Sequence, residues 1–204
     1  MAWDQVSPSR ILDERSFRNA VVAMLASGGS TNAPIHLIAL ARRTEVRLQL
    51  ADFESLAARV PVLVNLMPAG EHLMQDLFLA GGTPALLARL AHLLDGGSLT
   101  VSGLTIAEQV RDAKVIDDEV IRPLDRPVSA LPAIGVVHGN LAPQGALIKP
   151  TAAAPHLLQH RGPALVFESA ADLASRIDDP GLPATPESVI VLRNAGPVGA
   201  PGMP

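Results

Sequence analysis

Ser27-Gly-Gly-Ser-Thr-Asn32 decides how the first half of this 204-residue chain is read. On its N-terminal side, residues 13–26 place Phe17, Ala20, Val21, Met24 and Leu25 on one face at helical spacing, which predicts an amphipathic helix. Gly28 and Gly29 stop that helix. On the C-terminal side, Ser30, Thr31 and Asn32 offer capping side chains to a second helix over about 33–43, with Pro34 tolerated in its first turn. Two readings fit the six residues. One is a glycine C-cap running into a polar N-cap, an ordinary helix–helix turn. The other is an anion-binding turn, in which the glycines let the backbone approach a ligand and the free N–H groups of a helix N-terminus favour negative charge.

Outward from this turn, helices alternate with short apolar runs. Asp52 predicts a cap for a short helix running to about Arg59, and Pro61-Val-Leu-Val-Asn-Leu-Met67 has strand length and is closed by Pro68. A helix over 71–80 is expected to end at Gly81-Gly82, and Thr83-Pro84 to open another through about Leu94. Asp95-Gly-Gly then turns the chain into a strand, Ser98 to Ser102, and Thr105-Ile-Ala-Glu108 has the spacing of a capping box. Such alternation is the pattern of a layered α/β domain. It breaks down from Ala113 to Pro132, where Asp117, Asp118 and Glu119 cluster and Pro123, Pro127 and Pro132 exclude a continuous helix. Strands dominate beyond: 134–138, 146–149, 164–167 and 188–192, with one helix, 169–177, capped by Ser169. Short strands separated by Gly/Pro turns point to a small β-rich barrel or swivel domain.

Composition excludes several classes. Aromatic residues make up 2% of a chain that is 48% hydrophobic, so Ala, Leu, Val and Ile must build the core. A net charge of −4 without a basic stripe argues against nucleic acid as a partner. No apolar run approaches the roughly 18 residues that cross a bilayer, and Met-Ala-Trp-Asp-Gln lacks the regions of a signal peptide. The expectation is a soluble cytoplasmic protein. Cysteine is absent, which removes disulfides, thiolate nucleophiles and cysteine-held metal or iron–sulfur sites from these residues.

The remaining motifs are local. Gly139-Asn-Leu-Ala-Pro-Gln-Gly145 lies between two expected strands and reads as a hairpin loop or a binding loop. His156 and His160 are four apart, as two metal ligands on a helix would be, but no third ligand accompanies them and solvent-facing histidines are expected. Asp117-Asp118 reads as solvated loop charge, and Asp178-Asp179-Pro180 as a turn. No nucleophile elbow, P-loop, dinucleotide fingerprint or His-Glu-x-x-His is present. The last nine residues carry three glycines and three prolines, Gly196-Pro-Val-Gly-Ala-Pro-Gly-Met-Pro204, the density of a loop that leads somewhere.

Taken in order, these pieces resemble the dihydroxy-acid dehydratase / 6-phosphogluconate dehydratase family. The series runs from Pro8-Ser9 and Phe17-x-Asn19-Ala20 through Ser27–Asn32 with His36-Leu37, Val60-Pro61 and Met67-Pro-Ala-Gly70. It continues with Gly81-Gly-Thr-Pro84, Leu99–Gly103, Gly139–Gly145 with Lys149, His160–Ala164, and Gly196-Pro-x-Gly-x-Pro-Gly-Met203. Asn65-Leu-Met-Pro68, Lys149-Pro-Thr-Ala-Ala153, Arg176-Ile-Asp-Asp-Pro180 and Asn194-Ala-Gly-Pro197 look more like the sugar-acid (aldonate) branch. One departure is Pro132-Ala133, where the family usually opens a strand with a glycine pair.

The resemblance implies a hydro-lyase that converts a 2,3-dihydroxy acid to a 2-keto acid. An iron–sulfur cluster, 2Fe-2S by expectation, would act on the departing 3-hydroxyl, Mg²⁺ would hold the carboxylate and 2-hydroxyl, and a serine alkoxide would take the C2 proton. None of these roles maps onto a residue here: the family's cysteines and most magnesium ligands precede the matched region. Its last magnesium glutamate and its Thr-Asp-Gly-Arg-x-Ser serine follow that region. The expectation is therefore an internal piece, inactive alone. It would hold the second part of an α/β domain over 1–122, a linker over 123–132, and the start of a β-rich domain over 133–204. The complete enzyme is expected to be a homo-oligomer acting on a small sugar acid or dihydroxy acid. The alternatives are the branched-chain amino-acid enzyme, and a non-catalytic remnant that binds a sugar acid or a partner subunit. In the family context Gly28, Gly29, Ser30, Thr31 and Asn32 become expected substrate-pocket residues, with Asn140 and Lys149 as further candidates.

Overall fold

The computed structural model describes residues 6–195; the Gly/Pro tail beyond Ala195 lies outside the described residues. The chain divides into two compact units, one up to Ala153 and one from Ala154 on. The first holds α1 (Pro8–Ile11), α2 (Glu14–Ala26), α3 (Asn32–Arg43), α4 (Leu50–Ala57), α5 (Met74–Leu79), α6 (Gly82–Arg89), α7 (Ile106–Gln109), β1 (Gly135–Val137) and β2 (Ala146–Ile148). The second holds β3 (Ala164–Phe167), α8 (Ala170–Arg176) and β4 (Val189–Leu192). The architecture is mixed α and β. The strands form two separate two-stranded sheets, antiparallel β1–β2 and parallel β3–β4, and no barrel closes among the described residues.

The helix starts follow from capping chemistry. Asp13 caps α2: its Oδ1 accepts the Ser16 amide at 2.8 Å, while the Asp13 amide donates to Ser16 Oγ at 3.0 Å. Thr105 and Glu108 form the expected box at α7, the Thr105 amide donating to Glu108 Oε2 at 2.8 Å and the Glu108 amide to Thr105 Oγ1 at 3.3 Å. Ser169 caps α8 through the Asp172 amide at 3.1 Å. At α4 the cap position belongs to Gln49, not Asp52; the Asp52 carboxylate sits one turn in and accepts the Gln49 amide at 2.8 Å. An acidic residue serves either position, so the sequence pattern alone misplaces the start by a turn.

Two expected strands are not ladders. Residues 61–67 make single bridges, Val62 to Ser129, Val64 to Ile121 and Leu66 to His72, because their partners come from separate stretches. Residues 98–102 keep one bridge, Leu99 to Thr105, since a tight turn through Gly103 returns the chain at once. The helix expected over 71–80 starts only at Met74, because His72 is bonded back to Asn65 and Met67. Past Arg89, α6 gives way to short-range turns at Ala91 and Leu93.

The core of the first unit gathers Val21, Val22 and Leu25 of α2, Phe53 of α4, Leu63, Leu86, Leu90, Ile121 and Ile134, all essentially sealed from solvent. It is aliphatic as composition demands, with Phe53 as its one large ring. The proline-bearing stretch is stitched into this core. Val120 and Ile121 are buried, the Arg122 amide donates to Leu63 O at 2.7 Å, and the Val128 amide donates to Val62 O at 2.8 Å. Arg89 reinforces it from α6, donating to Ile121 O at 2.7 Å and pairing with Asp118 at 2.8 Å. Asp118 and Glu119 are therefore ion-paired, the latter with Arg122 and Arg126. In the second unit Phe167 is fully buried, with the Arg176 guanidinium 5.0 Å from its ring centroid.

Asn19 is the polar residue that fixes α2 to the rest. It is 4% exposed, and its Nδ2 donates to Asp95 O at 2.9 Å and Ser98 Oγ at 3.1 Å, while its Oδ1 accepts the Asp95 amide at 2.8 Å. Asn19→Ala strips three bonds from buried or half-buried groups at the 95–98 turn. The expected loss is about 1–3 kcal/mol, read as a lower urea midpoint at unchanged slope. An unshifted midpoint would show that Asn19 carries no stability.

The capping carboxylates predict an acid response. At Asp13, burial pushes the carboxyl up but is outweighed by the Ser16 amide and the Arg15 guanidinium, leaving it below its usual value. Glu108 is lowered by the Thr105 hydroxyl and amide. A carboxylate lowered in the folded state contributes stability above its unfolded value of about 4 and loses it as pH falls through the folded value. The melting temperature should decline as pH falls from about 6 towards 3, and Asp13→Asn should shallow that decline. A melting temperature indifferent to acid over this range would refute the assignment.

Candidate functional site

The Ser27–Asn32 turn begins as a helix C-cap. Ser27 ends α2, and Gly28 follows with a φ of +68°, the left-handed conformation that a side chain disfavours. The Gly29 amide donates to Met24 O at 2.9 Å and the Gly28 amide to Leu25 O at 3.0 Å, the paired bonds of a Schellman motif. A Cβ on Gly29 would lie 2.7 Å from Met24 Cγ and 2.9 Å from Met24 O, so only glycine fits. The C-cap half of the ordinary turn is thus formed.

The N-cap half is less complete. Thr31 occupies the cap position of α3, but its φ of −60° is helical and its side chain makes no capping bond. Ser30 is exposed and organises the approach: its Oγ accepts the Asn32 amide at 3.2 Å and its carbonyl accepts the Ala33 amide at 3.1 Å. The amides of Ser30 and Thr31 donate to no group among the described residues. The side chains of Thr31 and Asn32 likewise have no bonded partner among them, and both residues are half-buried. The turn therefore presents two uncommitted N–H donors and two polar side chains at the positive end of a twelve-residue helix.

Lys149 joins this turn from far along the chain. Its Nζ donates to Gly28 O at 2.6 Å and to Gly29 O at 3.3 Å, across a separation of 121 and 120 residues. It follows β2 directly, and the β1–β2 hairpin packs on α4. Of the candidate residues, the fold brings Lys149 to Gly28 and Gly29. Asn140 stays apart at the exposed tip of the hairpin, whose loop closes on itself through Gly139 and Ala142. His160 contacts Glu187 O through Nε2 at 2.9 Å, and His156 lies in a short 3₁₀ turn. Among the described residues no group of three or more His, Cys, Asp or Glu could hold a metal ion. A cleft of about 350 Å³ lined by Phe17, Arg18, Arg47, Leu48 and Arg59 adjoins the other end of α2, away from the glycines.

Sequence reading did not find the Lys149 clamp, and no local pattern encodes it. Asn19 did carry a signal: it is a polar residue on a helix whose apolar spacing marks it as packed. Asn65 is similar, buried at 4%, its Oδ1 accepting the Glu71 amide at 3.2 Å to close the turn that follows.

Comparison with known proteins places this chain in a family. Residues 1–109 match the profile described as dihydroxy-acid/6-phosphogluconate dehydratase N-terminal, and residues 119–204 its C-terminal counterpart. L-arabonate dehydratase of Azospirillum brasilense is 47% identical, and L-arabinonate dehydratase of Rhizobium leguminosarum bv. trifolii 44%; each match covers 100% of this chain and 35% of the relative. Dihydroxy-acid dehydratase of Caldicellulosiruptor bescii is 42% identical over 97% of this chain and 36% of its own length. The chain thus spans about a third of the length of these relatives. With both profiles matched in order across nearly all of its residues, the chain belongs to the dihydroxy-acid/6-phosphogluconate dehydratase family.

Proposed function

We propose that this chain is part of a hydro-lyase that removes water from a 2,3-dihydroxy sugar acid, an aldonate such as a pentonate, to give a 2-keto acid. The observation that carries the reading is its similarity, over the whole chain, to two enzymes named for arabonate. The Asn65-Leu-Met-Pro68 and Lys149-Pro-Thr-Ala-Ala153 stretches, which look aldonate-like, support the same branch.

Within that enzyme the Ser27–Asn32 turn serves as a wall of the substrate pocket. The free amides of Ser30 and Thr31, at the N-terminus of α3, suit a carboxylate, and the Thr31 and Asn32 side chains suit hydroxyl groups of a polyol chain. The cofactors expected of the family, an iron–sulfur cluster and Mg²⁺, do not fit the residues present. The chain has no cysteine and, among its described residues, no cluster of acidic or histidine ligands. No catalytic step is assigned to these residues, and the 204-residue chain by itself is inactive in this reading. The complete enzyme would be a cytoplasmic homo-oligomer.

A second reading, the branched-chain dihydroxy-acid dehydratase, is supported by the 42% identity to the Caldicellulosiruptor enzyme. Assay of the complete enzyme on L-arabonate and on 2,3-dihydroxyisovalerate separates the two. The aldonate should be turned over with the higher kcat/KM, and a preference for dihydroxyisovalerate would overturn the first reading. In a complete relative, alanine at the positions of Ser30 and Asn32 should lower kcat/KM about tenfold or more while the melting temperature holds. Unchanged kinetics would return the turn to a purely structural role.

A further inference from the structure

We infer that Lys149 is a positioning residue for the Ser27–Asn32 turn: its ammonium clamps the carbonyls of Gly28 and Gly29, fixing the direction in which the turn presents its free amides. The inference rests on the reading of that turn as a pocket wall.

The bonding of the turn leaves its glycine carbonyls to Lys149. Each carbonyl near the end of α2 has an assigned donor: Ala23 O takes Ser27, Met24 O takes Gly29, Leu25 O takes Gly28, and Ala26 O takes Leu63 and Val64. Past Ser27, whose carbonyl shares a plane with the bonded Gly28 amide, the carbonyls of Gly28 and Gly29 are both held by Lys149. A peptide plane carries the carbonyl of one residue and the amide of the next in a rigid unit. Fixing Gly28 O therefore fixes the Gly29 amide, and fixing Gly29 O fixes the Ser30 amide, one of the two uncommitted donors. Without the clamp the Gly29–Ser30 plane would be free to rotate, and the Gly28–Gly29 plane would rest on the bond from the Gly29 amide to Met24 O alone.

Electrostatics favour a cation at the same place. The carbonyl end of α2 is the negative pole of that helix, where a cation is favoured, and a charge-assisted bond of 2.6 Å is at the short, strong end of its class. A lysine suits the position because a point charge with three donors can serve two adjacent carbonyls. Arginine's planar fork matches paired carboxylate or phosphate oxygens instead. Serving two carbonyls, the ammonium acts through the backbone on the turn, not as a substrate ligand.

The clamp also joins two distant regions of the chain. Gly28 and Gly29 lie in the region matched by the N-terminal family profile, whereas Lys149 lies in the C-terminal one. The hairpin that carries Lys149 is seated on α4: a Cβ at Gly145 would come 3.3 Å from Leu50 Cδ1. The second region thus sets the shape of a turn that belongs to the first.

The test uses the 204-residue chain, whose lack of cysteine makes Lys149→Cys a single thiol. Alkylation with 2-bromoethylamine forms a thioether from the thiolate and expels bromide, giving a side chain that ends in an ammonium at lysine length. Hydrogen exchange of the Gly29 amide is the readout. Lys149→Met should accelerate its exchange about tenfold or more, with α2 amides before Ala23 unchanged. Lys149→Arg should restore only part of the protection, and aminoethylated Lys149→Cys most of it. Unchanged exchange in the Met variant, or equal acceleration in the Met and aminoethylated variants, would overturn the clamp. If Lys149→Met does not fold, the alkylated and unalkylated Cys forms carry the same comparison. In a complete relative, methionine at the equivalent position should raise KM for the aldonate more than it lowers kcat, with arginine restoring part of the loss. An exchange effect without a kinetic one in that relative would refute the positioning role. If alanine at Ser30 and Asn32 also leaves kinetics unchanged, the pocket reading fails too while the clamp itself stands.

Discussion

The carbonyl oxygen of Ala26 accepts two amides, from Leu63 at 2.8 Å and from Val64 at 3.2 Å. This is where the end of α2 meets the apolar stretch 61–67, and the first unit is arranged around that junction. The same stretch gives Leu63 O to Arg122 and Val62 O to Val128, while its Asn65 amide reaches Val120 O. Residues 61–67 thus act as a spine with a helix terminus on one side and the 120–129 stretch on the other. No ladder runs along the spine because no single neighbour does. Backbone polar groups in a buried segment must still be paired, and here they are paired one at a time with different partners. Burial of Val62, Leu63 and Val64, each at 5% exposure or less, depends on those bonds being made.

Placing α2 by its C-terminal carbonyl also places the glycine turn that follows, and Asn19 holds the same helix from one side through Asp95 and Ser98. A helix fixed at two points by hydrogen bonds and along its length by Val21, Val22 and Leu25 has little freedom to shift. The turn therefore inherits a defined position. Its shape is a separate matter, set by the Schellman bonds from Met24 and Leu25 and by Lys149.

What the sequence made legible follows the range of the interactions. Helix starts at Asp13, Thr105 and Ser169 depend on contacts three residues long, and the capping pattern displays them. The pairing of β1 with β2 is carried by an eight-residue connection, residues 138–145, that contains Gly139 and ends at Gly145. The β3–β4 pairing is parallel, and its crossover runs through α8, whose cap was also visible. By contrast, Asp52 was ambiguous because a carboxylate serves the cap and the third helical position alike. The strand length of 61–67 was legible but its pairing was not, since two of its three bridges reach residues 57 and 67 positions away. Within the candidate site, the glycines and hydroxyl side chains were legible as types. Their tie to Lys149 was not, because nothing near residue 149 indicates which carbonyls it will meet.

Two adjacent glycines carry the largest conformational entropy loss a dipeptide can have on folding. At Gly29 the choice is forced, since a Cβ would collide with Met24. The cost is offset by bonds that come from both directions, the Gly28 and Gly29 amides donating to α2 and their carbonyls accepting from Lys149. Beyond the glycines that saturation ends, and the amides of Ser30 and Thr31 have no partner among the described residues. A backbone pinned on one side of a residue and open on the other is the arrangement a binding turn requires. In the pocket proposed above, the rigid part would keep the open donors from collapsing onto the chain's own carbonyls and leave them to an anion.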